Sequence, residues 1–122
     1  AVRADVRPDA PRGAGDAVPR VPGALPSHYA PRAPARSGPL GAVADALAAD
    51  AGAVALVRSA ALPPDLAARV LRLPDDPVAY ARGFYDAVRR LDAGRPSVLW
   101  IEAPPDGDAW AAIRDRVARA TA

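Results

Sequence analysis

The sequence predicts a small three-layer α/β/α sandwich that follows an extended, proline-rich segment. Two observations carry this prediction. Strand-like and helix-like stretches alternate along residues 37–122, and such alternation is typical of parallel βαβ units with right-handed crossovers. The preceding residues combine many prolines, glycines and charges with no apolar periodicity, which is typical of chain that contributes little to a core.

Composition divides the chain into three parts. We expect a flexible tether over residues 1–18, an interdomain linker over residues 19–36 and an α/β domain over residues 37–122. Residues 1–36 carry six arginines against three aspartates, whereas the α/β domain carries ten arginines against eleven acidic residues. The positive excess therefore lies on the linker. The nearly neutral domain has no basic face interleaved with aromatic residues, so we expect no direct nucleic-acid binding by it.

The sequence from residue 32 to residue 57 predicts one edge strand, one helix and one buried strand. Residues 32–36 form a short, poor edge strand that Pro34 weakens. Ser37 or its neighbour then caps a helix, with Pro39 in its first turn and Gly52 at its end. Its apolar stripe follows helical spacing: Leu40, Val43, Ala44, Leu47 and Ala48. The continuous apolar run at residues 53–57 predicts a strand that is covered on both faces.

The second half predicts the strongest helix. Asp76 caps it, Pro77 takes its first position and Gly94 stops it. Its buried stripe is Ala81, Phe84, Tyr85, Val88 and Leu91, with Tyr80 off the stripe and partly exposed. The other predicted elements are a short helix at 63–69, strands at 70–73 and 97–102, and a last helix at 108–120. With strands 53–58 and 97–102 at its centre, this is a Rossmann-like sandwich of about four mostly parallel strands.

The composition excludes several kinds of chemistry. There is no cysteine, so disulfides, thiolate metal sites and cysteine nucleophiles are excluded. One histidine cannot build a structural zinc site, and a P-loop needs a lysine, which the chain lacks because all 16 basic residues are arginines. We therefore expect no catalytic residue, no metal site and no bound cofactor in this chain.

Two segments remain as candidates for function. Glu102 follows a central strand at the carboxyl edge of the sheet, where open α/β sheets bind ligands. It is a candidate for a strand-end contact, and the alternative is an exposed charge or a pair with a neighbouring arginine. His28 and Tyr29 lie in the proline-framed residues 22–31, where a rigid imidazole and phenol suggest recognition, and the alternative is a plain spacer.

Three stretches resemble the C-terminal part of threonylcarbamoyl-AMP synthases. Residues 22–31 (PGALPSHYAP) resemble the family's linker Pro-Gly-Met-x-x-Ser-His-Tyr-Ala-Pro, with Ala24 in place of methionine. Residues 80–92 are similar to the helix Tyr-Ala-x-x-Leu-Tyr-x-Ala-Leu-Arg-x-Leu-Asp, although Gly83 lies in its middle. Residues 112–120 are similar to the closing Ala-Ile-x-Asp-Arg-Leu-x-Arg-Ala, and residues 98–105 fit the strand between the two helices.

The resemblance implies an accessory role in a two-domain enzyme. A YrdC-type catalytic domain, the partner of this domain, makes threonylcarbamoyl-AMP and pyrophosphate from ATP, L-threonine and bicarbonate, with ATP and Mg²⁺ bound there. The product serves N6-threonylcarbamoyladenosine formation in tRNA. By resemblance, the linker covers that active site with Ser27, His28, Tyr29 and Arg32, and water is thereby kept from labile intermediates. This chain alone is then expected to be inactive.

Two other functions remain open at this stage. The domain could be a stand-alone module that binds a small ligand or nucleotide at its strand ends, or a protein-docking module. No stretch of about 18 apolar residues and no leader are found, so we expect neither a membrane contact nor a signal peptide. A cytoplasmic location is the expectation.

Overall fold

The computed structural model of the chain describes residues 30–58 and 62–122. Within these ranges four strands form one sheet, in which every neighbouring pair is parallel and the order is β1-β4-β2-β3. The strands are β1 (Ala35–Gly38), β2 (Ala53–Val57), β3 (Val70–Arg72) and β4 (Val98–Glu102). The α-helices are α1 (Leu40–Ala49), α2 (Pro77–Ala93) and α3 (Ala111–Ala120), with 3₁₀ turns at Pro64–Arg69 and Asp108–Trp110.

Helices cover both faces of the sheet. One core contains α1 residues Val43 and Leu47 and the alternating β2 residues Ala53, Ala55 and Val57. On the other face, α2 and α3 pack against the strand side chains that point to that side: Leu56, Leu99 and Ile101. The three-layer α/β/α sandwich and the central place of β2 and β4 confirm the predicted fold.

The edge strand forms, but at a shifted position. It was expected at 32–36 and lies at Ala35–Gly38, where it pairs with β4 alone. Pro34 extends the pairing, because its carbonyl accepts a hydrogen bond from the Leu99 amide at 2.9 Å. The chain thus passes from the predicted linker into the sheet without a break, and β1 crosses the boundary drawn at residue 36.

The start of α1 differs from the prediction. Ser37 lies within β1, so it does not cap the helix; the N-cap is Pro39, which provides no side-chain hydrogen bond. The end of α1 is held from another element. The Arg69 guanidinium donates to the carbonyls of Leu47, Asp50 and Ala53 at 2.8–2.9 Å, a favourable place for a cation beside a helix C-terminus.

The start of α2 agrees with the sequence. Asp76 is the N-cap, and its carboxylate accepts the Ala79 amide at 2.9 Å, while Pro77 occupies the first turn. The predicted exposure of Tyr80 was wrong, because its side chain is 1% exposed. Its ring meets Trp110 edge-on at 5.4 Å, so the 3₁₀ turn before α3 covers the position that the α2 stripe alone left open.

Gly83 lies within α2 and Gly94 follows its last residue, and the two glycines have different structural roles. A Cβ at Gly83 would lie 2.9 Å from Leu73 Cδ2, so the mid-helix glycine permits close packing of the chain that follows β3. The chain ends the helix at Gly94 as predicted, yet Gly94 has an ordinary φ of −78°. The left-handed residue is Arg95, at φ 54°.

Phe84 should carry much of the stability of this domain. Its side chain is 1% exposed and lies against Tyr80 and Tyr85 at centroid distances of 5.9 and 5.2 Å. Phe84→Ala should lower the free energy of unfolding by about 3–5 kcal/mol because it leaves a cavity. Urea unfolding measures this. Val78→Ala, 62% exposed on the same helix, is the control and should change it by less than about 0.5 kcal/mol. A loss under about 1 kcal/mol for Phe84→Ala would contradict the packing.

Candidate functional site

Two polar clusters lie at opposite ends of the strands, one at the amino edge of the sheet, where the strands begin, and one at the carboxyl edge, where they end. The first, at the amino edge, is the linker clamp: the Asp92 carboxylate with the backbone amides of Arg32 and Ala33. The second, at the carboxyl edge, is the strand-end cluster: Arg58, Asp75, Glu102 and the Trp110 ring. The length of β4, about 13 Å at ~3.3 Å per residue, separates the two edges.

In the linker clamp, one buried carboxylate holds two consecutive amides. Asp92 lies in the last turn of α2 and is 6% exposed. Its Oδ2 accepts the Arg32 amide and its Oδ1 accepts the Ala33 amide, each at 3.0 Å. These bonds join residues 60 and 59 positions apart in sequence. The carboxylate therefore fixes the end of the linker to the domain.

The electrostatics of the clamp rest on the main chain. Burial by itself raises the pKa of the Asp92 carboxyl, but the two amide hydrogen bonds and the nearby Arg32 guanidinium outweigh it and keep the pKa below the usual range. The guanidinium contributes less, because its Nε lies 3.7 Å from Oδ2 on a side chain that is 70% exposed. Asp92 is thus an anion in the folded protein at neutral pH.

A cleft adjoins the clamp. It has a volume of about 290 Å³ and is lined by Arg32, Ala33, Pro34, Asp92, Arg95 and Pro96. Arg95 enters it from a left-handed backbone conformation, which costs a residue with a side chain roughly 1 kcal/mol or more. The cleft brings the linker end, the end of α2 and the approach to β4 together.

The strand-end cluster occupies the switch point of the sheet. The chain after β2 turns to the face of α1, whereas the chain after β4 leads to α3 on the other face; open α/β sheets bind ligands at such crevices. Here the Arg58 amide donates to Glu102 Oε1 at 2.9 Å, and its guanidinium lies 3.6 Å from Oε2. Glu102 is 4% exposed, so its carboxylate faces protein.

Further contacts hold the Arg58 guanidinium in place. It donates to Asp75 Oδ1 and to the Ala103 carbonyl, each at 3.2 Å, and lies 5.7 Å from the centroid of the Trp110 ring. Among the residues that the structure describes, its buried Nε has no hydrogen-bond partner. Burial, together with the Glu102 charge, raises the pKa of the Tyr80 hydroxyl against the opposing effect of Arg58, so the phenol stays neutral. Both charged groups of this cluster, Arg58 and Glu102, are thus engaged with other groups of the protein.

Two of the five predicted site residues, Arg32 and Glu102, lie in the part of the chain that the structure describes. Ser27, His28 and Tyr29 lie outside the described residues. Arg32 belongs to the linker clamp and Glu102 to the strand-end cluster, so the two lie at opposite edges. Sequence reasoning missed the roles of Asp92 and Arg58. Asp92 closes the helix motif at residues 80–92 and Arg58 follows a buried strand, but neither position indicates the partner of the side chain.

The described residues contain neither a group of metal ligands nor a membrane-crossing helix. No group of three or more His, Cys, Asp or Glu side chains in residues 30–58 and 62–122 is arranged to hold a metal ion. In the same part of the chain, no helix has the length and apolar character needed to cross a bilayer.

The fold and the clamp define a class: a parallel three-layer α/β/α domain that fixes the segment before its first strand to the amino edge of its sheet. The family model described as threonylcarbamoyl-AMP synthase, C-terminal domain, matches residues 2–122, and the chain belongs to this family. This family comprises transferases that take part in tRNA modification. Comparisons with curated proteins and with solved structures found no match.

Glu102→Ala should destabilise the domain strongly. Removing the carboxylate leaves the largely buried Arg58 guanidinium without its main counter-charge, which costs about 3–5 kcal/mol in comparable pairs. Glu102→Gln keeps an acceptor for the Arg58 amide and should cost less. Urea unfolding of both variants measures the difference. Asp75→Asn, at a side chain that is 58% exposed, is the control, expected within about 1 kcal/mol of the parent. A Glu102→Ala loss as small as that of Asp75→Asn would contradict the pairing.

Asp92 should also make stability depend on acid pH. Because the folded-state pKa lies below the unfolded value of about 3.9, its contribution is complete above that value and is lost as pH falls through the folded pKa. The free energies of unfolding of the parent and of Asp92→Asn should therefore differ most near pH 7 and converge toward pH 2.

Comparison with the variant isolates Asp92 from Asp50, whose pKa is also lowered, mainly by the Ser97 hydroxyl and the Gly52 amide. Urea unfolding across pH 2–7 measures both curves. Curves that stay parallel down to pH 2 would show that the clamp does not depend on the charge.

Proposed function

We propose that this chain is the accessory C-terminal domain and active-site-covering linker of a threonylcarbamoyl-AMP synthase. The whole enzyme would make threonylcarbamoyl-AMP and pyrophosphate from ATP, L-threonine and bicarbonate, for N6-threonylcarbamoyladenosine in tRNA. A YrdC-type catalytic domain would bind the substrates and Mg²⁺. Membership of the family supports this assignment.

The linker clamp is the observation that carries the accessory role. A stand-alone enzyme or ligand-binding module has no evident need to hold the segment before its first strand, yet Asp92 commits a buried carboxylate to that task. At the strand ends, the usual ligand site of such sheets, Arg58 and Glu102 bind each other. These features favour an anchor for the linker over a small-ligand module.

In this proposal the linker residues before the clamp cover the active site of the catalytic domain. Ser27, His28 and Tyr29 would contact the bound substrates, and Arg32 would lie at the margin with its exposed guanidinium. Their task would be to exclude water, since a carbamate and its mixed anhydride with AMP both hydrolyse easily. The α/β domain would supply the fixed point from which the linker extends.

Substitution of the two aromatic linker residues in the whole enzyme tests this role. His28→Ala and Tyr29→Phe should leave the free energy of unfolding unchanged and lower kcat about 10- to 100-fold, the scale of one or two misplaced active-site contacts. Pyrophosphate release and threonylcarbamoyl-AMP formation are the measurements. A double variant with parental turnover and unchanged coupling of ATP use to product would leave the linker as a spacer.

Two control arms use the 122-residue chain alone. It should release no pyrophosphate from ATP, L-threonine and bicarbonate, because it has no lysine and no phosphate-binding loop. Calorimetric titration with ATP and with AMP should give no heat of binding. Saturable binding of either nucleotide would favour the small-ligand module instead.

A further inference from the structure

We propose that Asp92 is a positioning residue for the reaction of the whole enzyme: its carboxylate sets the point and the direction at which the linker leaves the α/β domain. The inference rests on the proposed function and adds to it a residue that touches no substrate. It follows from the geometry of the main chain at Arg32 and Ala33.

The clamp imposes a bend on the chain. Successive amides of an extended strand point to opposite sides, so two consecutive N–H groups reach one carboxylate only where the backbone turns. Residues 32 and 33 form such a bend, and each donates to a different oxygen of Asp92 at 3.0 Å. A carboxylate that accepts both amides thereby fixes the bend as well as the position.

Both sides of the bend are stiff. Pro31 precedes it and Pro34 follows it, and each proline ring fixes its own φ and restricts the residue before it. On the domain side, Asp92 lies on α2 beside Val88 and Leu91, which are buried in the core. The clamp therefore fixes the direction of the chain at Pro31 relative to α2, a helix that is packed in the core.

The main chain, not the Arg32 side chain, makes the clamp. The guanidinium is largely exposed and 3.7 Å from the carboxylate, and such ion pairs contribute little. Amide donors to a buried carboxylate are charge-assisted hydrogen bonds, which are shorter and stronger than neutral ones. Asparagine at position 92 would keep the shape but retain only one acceptor oxygen, so it should lose one of the two amides.

Amide hydrogen exchange in the 122-residue chain tests the clamp itself. The Arg32 and Ala33 amides should exchange at least 10-fold faster in Asp92→Asn than in the parent. Asp86→Asn is the matched control, because it makes the same change at an exposed position of the same helix, and it should leave both rates unchanged. Equal rates in the parent and Asp92→Asn would overturn the proposal at its first step.

Kinetics of the whole enzyme test the positioning role. Asp92→Asn should lower kcat about 10-fold, the scale of a misplaced contact, with KM for ATP and L-threonine within about twofold of the parent. It should also raise the ATP consumed per threonylcarbamoyl-AMP formed. Asp86→Asn should change neither. A merely structural role would reduce the amount of active enzyme without changing the ATP-to-product ratio.

A second variant keeps the test valid if Asp92→Asn folds poorly. Ala33→Pro removes the second amide donor without changing Asp92 and should reproduce the fall in kcat and the rise in uncoupled ATP use. The double variant should be no worse than either single variant, because both act through the same contact. Additive losses, or parental kcat and coupling in both single variants, would overturn the proposal.

The outcomes separate this inference from the proposed function. If the parental whole enzyme makes no threonylcarbamoyl-AMP, the proposed function fails and the positioning role fails with it. If the parental enzyme is active and the His28 and Tyr29 variants are impaired, while Asp92→Asn and Ala33→Pro turn over normally, only the positioning role fails. Faster amide exchange in Asp92→Asn together with impaired coupling supports both.

Discussion

Pairing of β4 on both of its edges is the constraint on which the rest of the domain depends. β4 binds β1 on one side and β2 on the other, and within residues 30–58 and 62–122 it is the strand through which β1 joins the remaining sheet. Its alternate side chains serve both cores, because Leu99 and Ile101 face α2 and α3 while Trp100 faces α1. Loss of β4 pairing would separate the linker attachment from the domain.

The two ends of the β4 region use the same device. Asp92 lies just before the strand and Glu102 ends it, and each is a buried carboxylate that accepts backbone amides from a distant segment: Asp92 from Arg32 and Ala33, Glu102 from Arg58. Burial of a carboxylate is costly unless hydrogen bonds compensate it. Both carboxylates therefore favour the one chain arrangement that supplies their donors, and together they fix the ends of the sheet.

The parts of the fold that depend on local pattern could be predicted from the sequence. The Asp76 cap and the apolar run of β2 need only neighbours within a few residues. The missed features need distant chain. Tyr80 is buried because Trp110 covers it, and the clamp joins residues about 60 positions apart. Helix spacing carries no information about either partner.

The candidate site was predictable only in part for the same reason. Ser27, His28 and Tyr29 were assigned through resemblance, and they remain predictions. Arg32 was named as a ligand-contacting side chain, yet what the structure shows at that position is its amide, and any residue except proline supplies an amide. A main-chain contact leaves little trace at the donor positions in the sequence. The informative residue was therefore the acceptor, Asp92. Helix periodicity identifies Asp92 only as a polar residue at the end of α2.

Separation of the two clusters then constrains how such a domain can act. The carboxyl edge contributes stability, because Arg58 and Glu102 bind each other there, where open α/β sheets commonly bind ligands. The amino edge holds the linker by two attachments: the Asp92 carboxylate, and the pairing of β1 with β4, which the Pro34 carbonyl extends. An anchor needs stiffness more than chemistry. A domain with no histidine, lysine or cysteine in residues 37–122 can supply that stiffness through the geometry of its main chain.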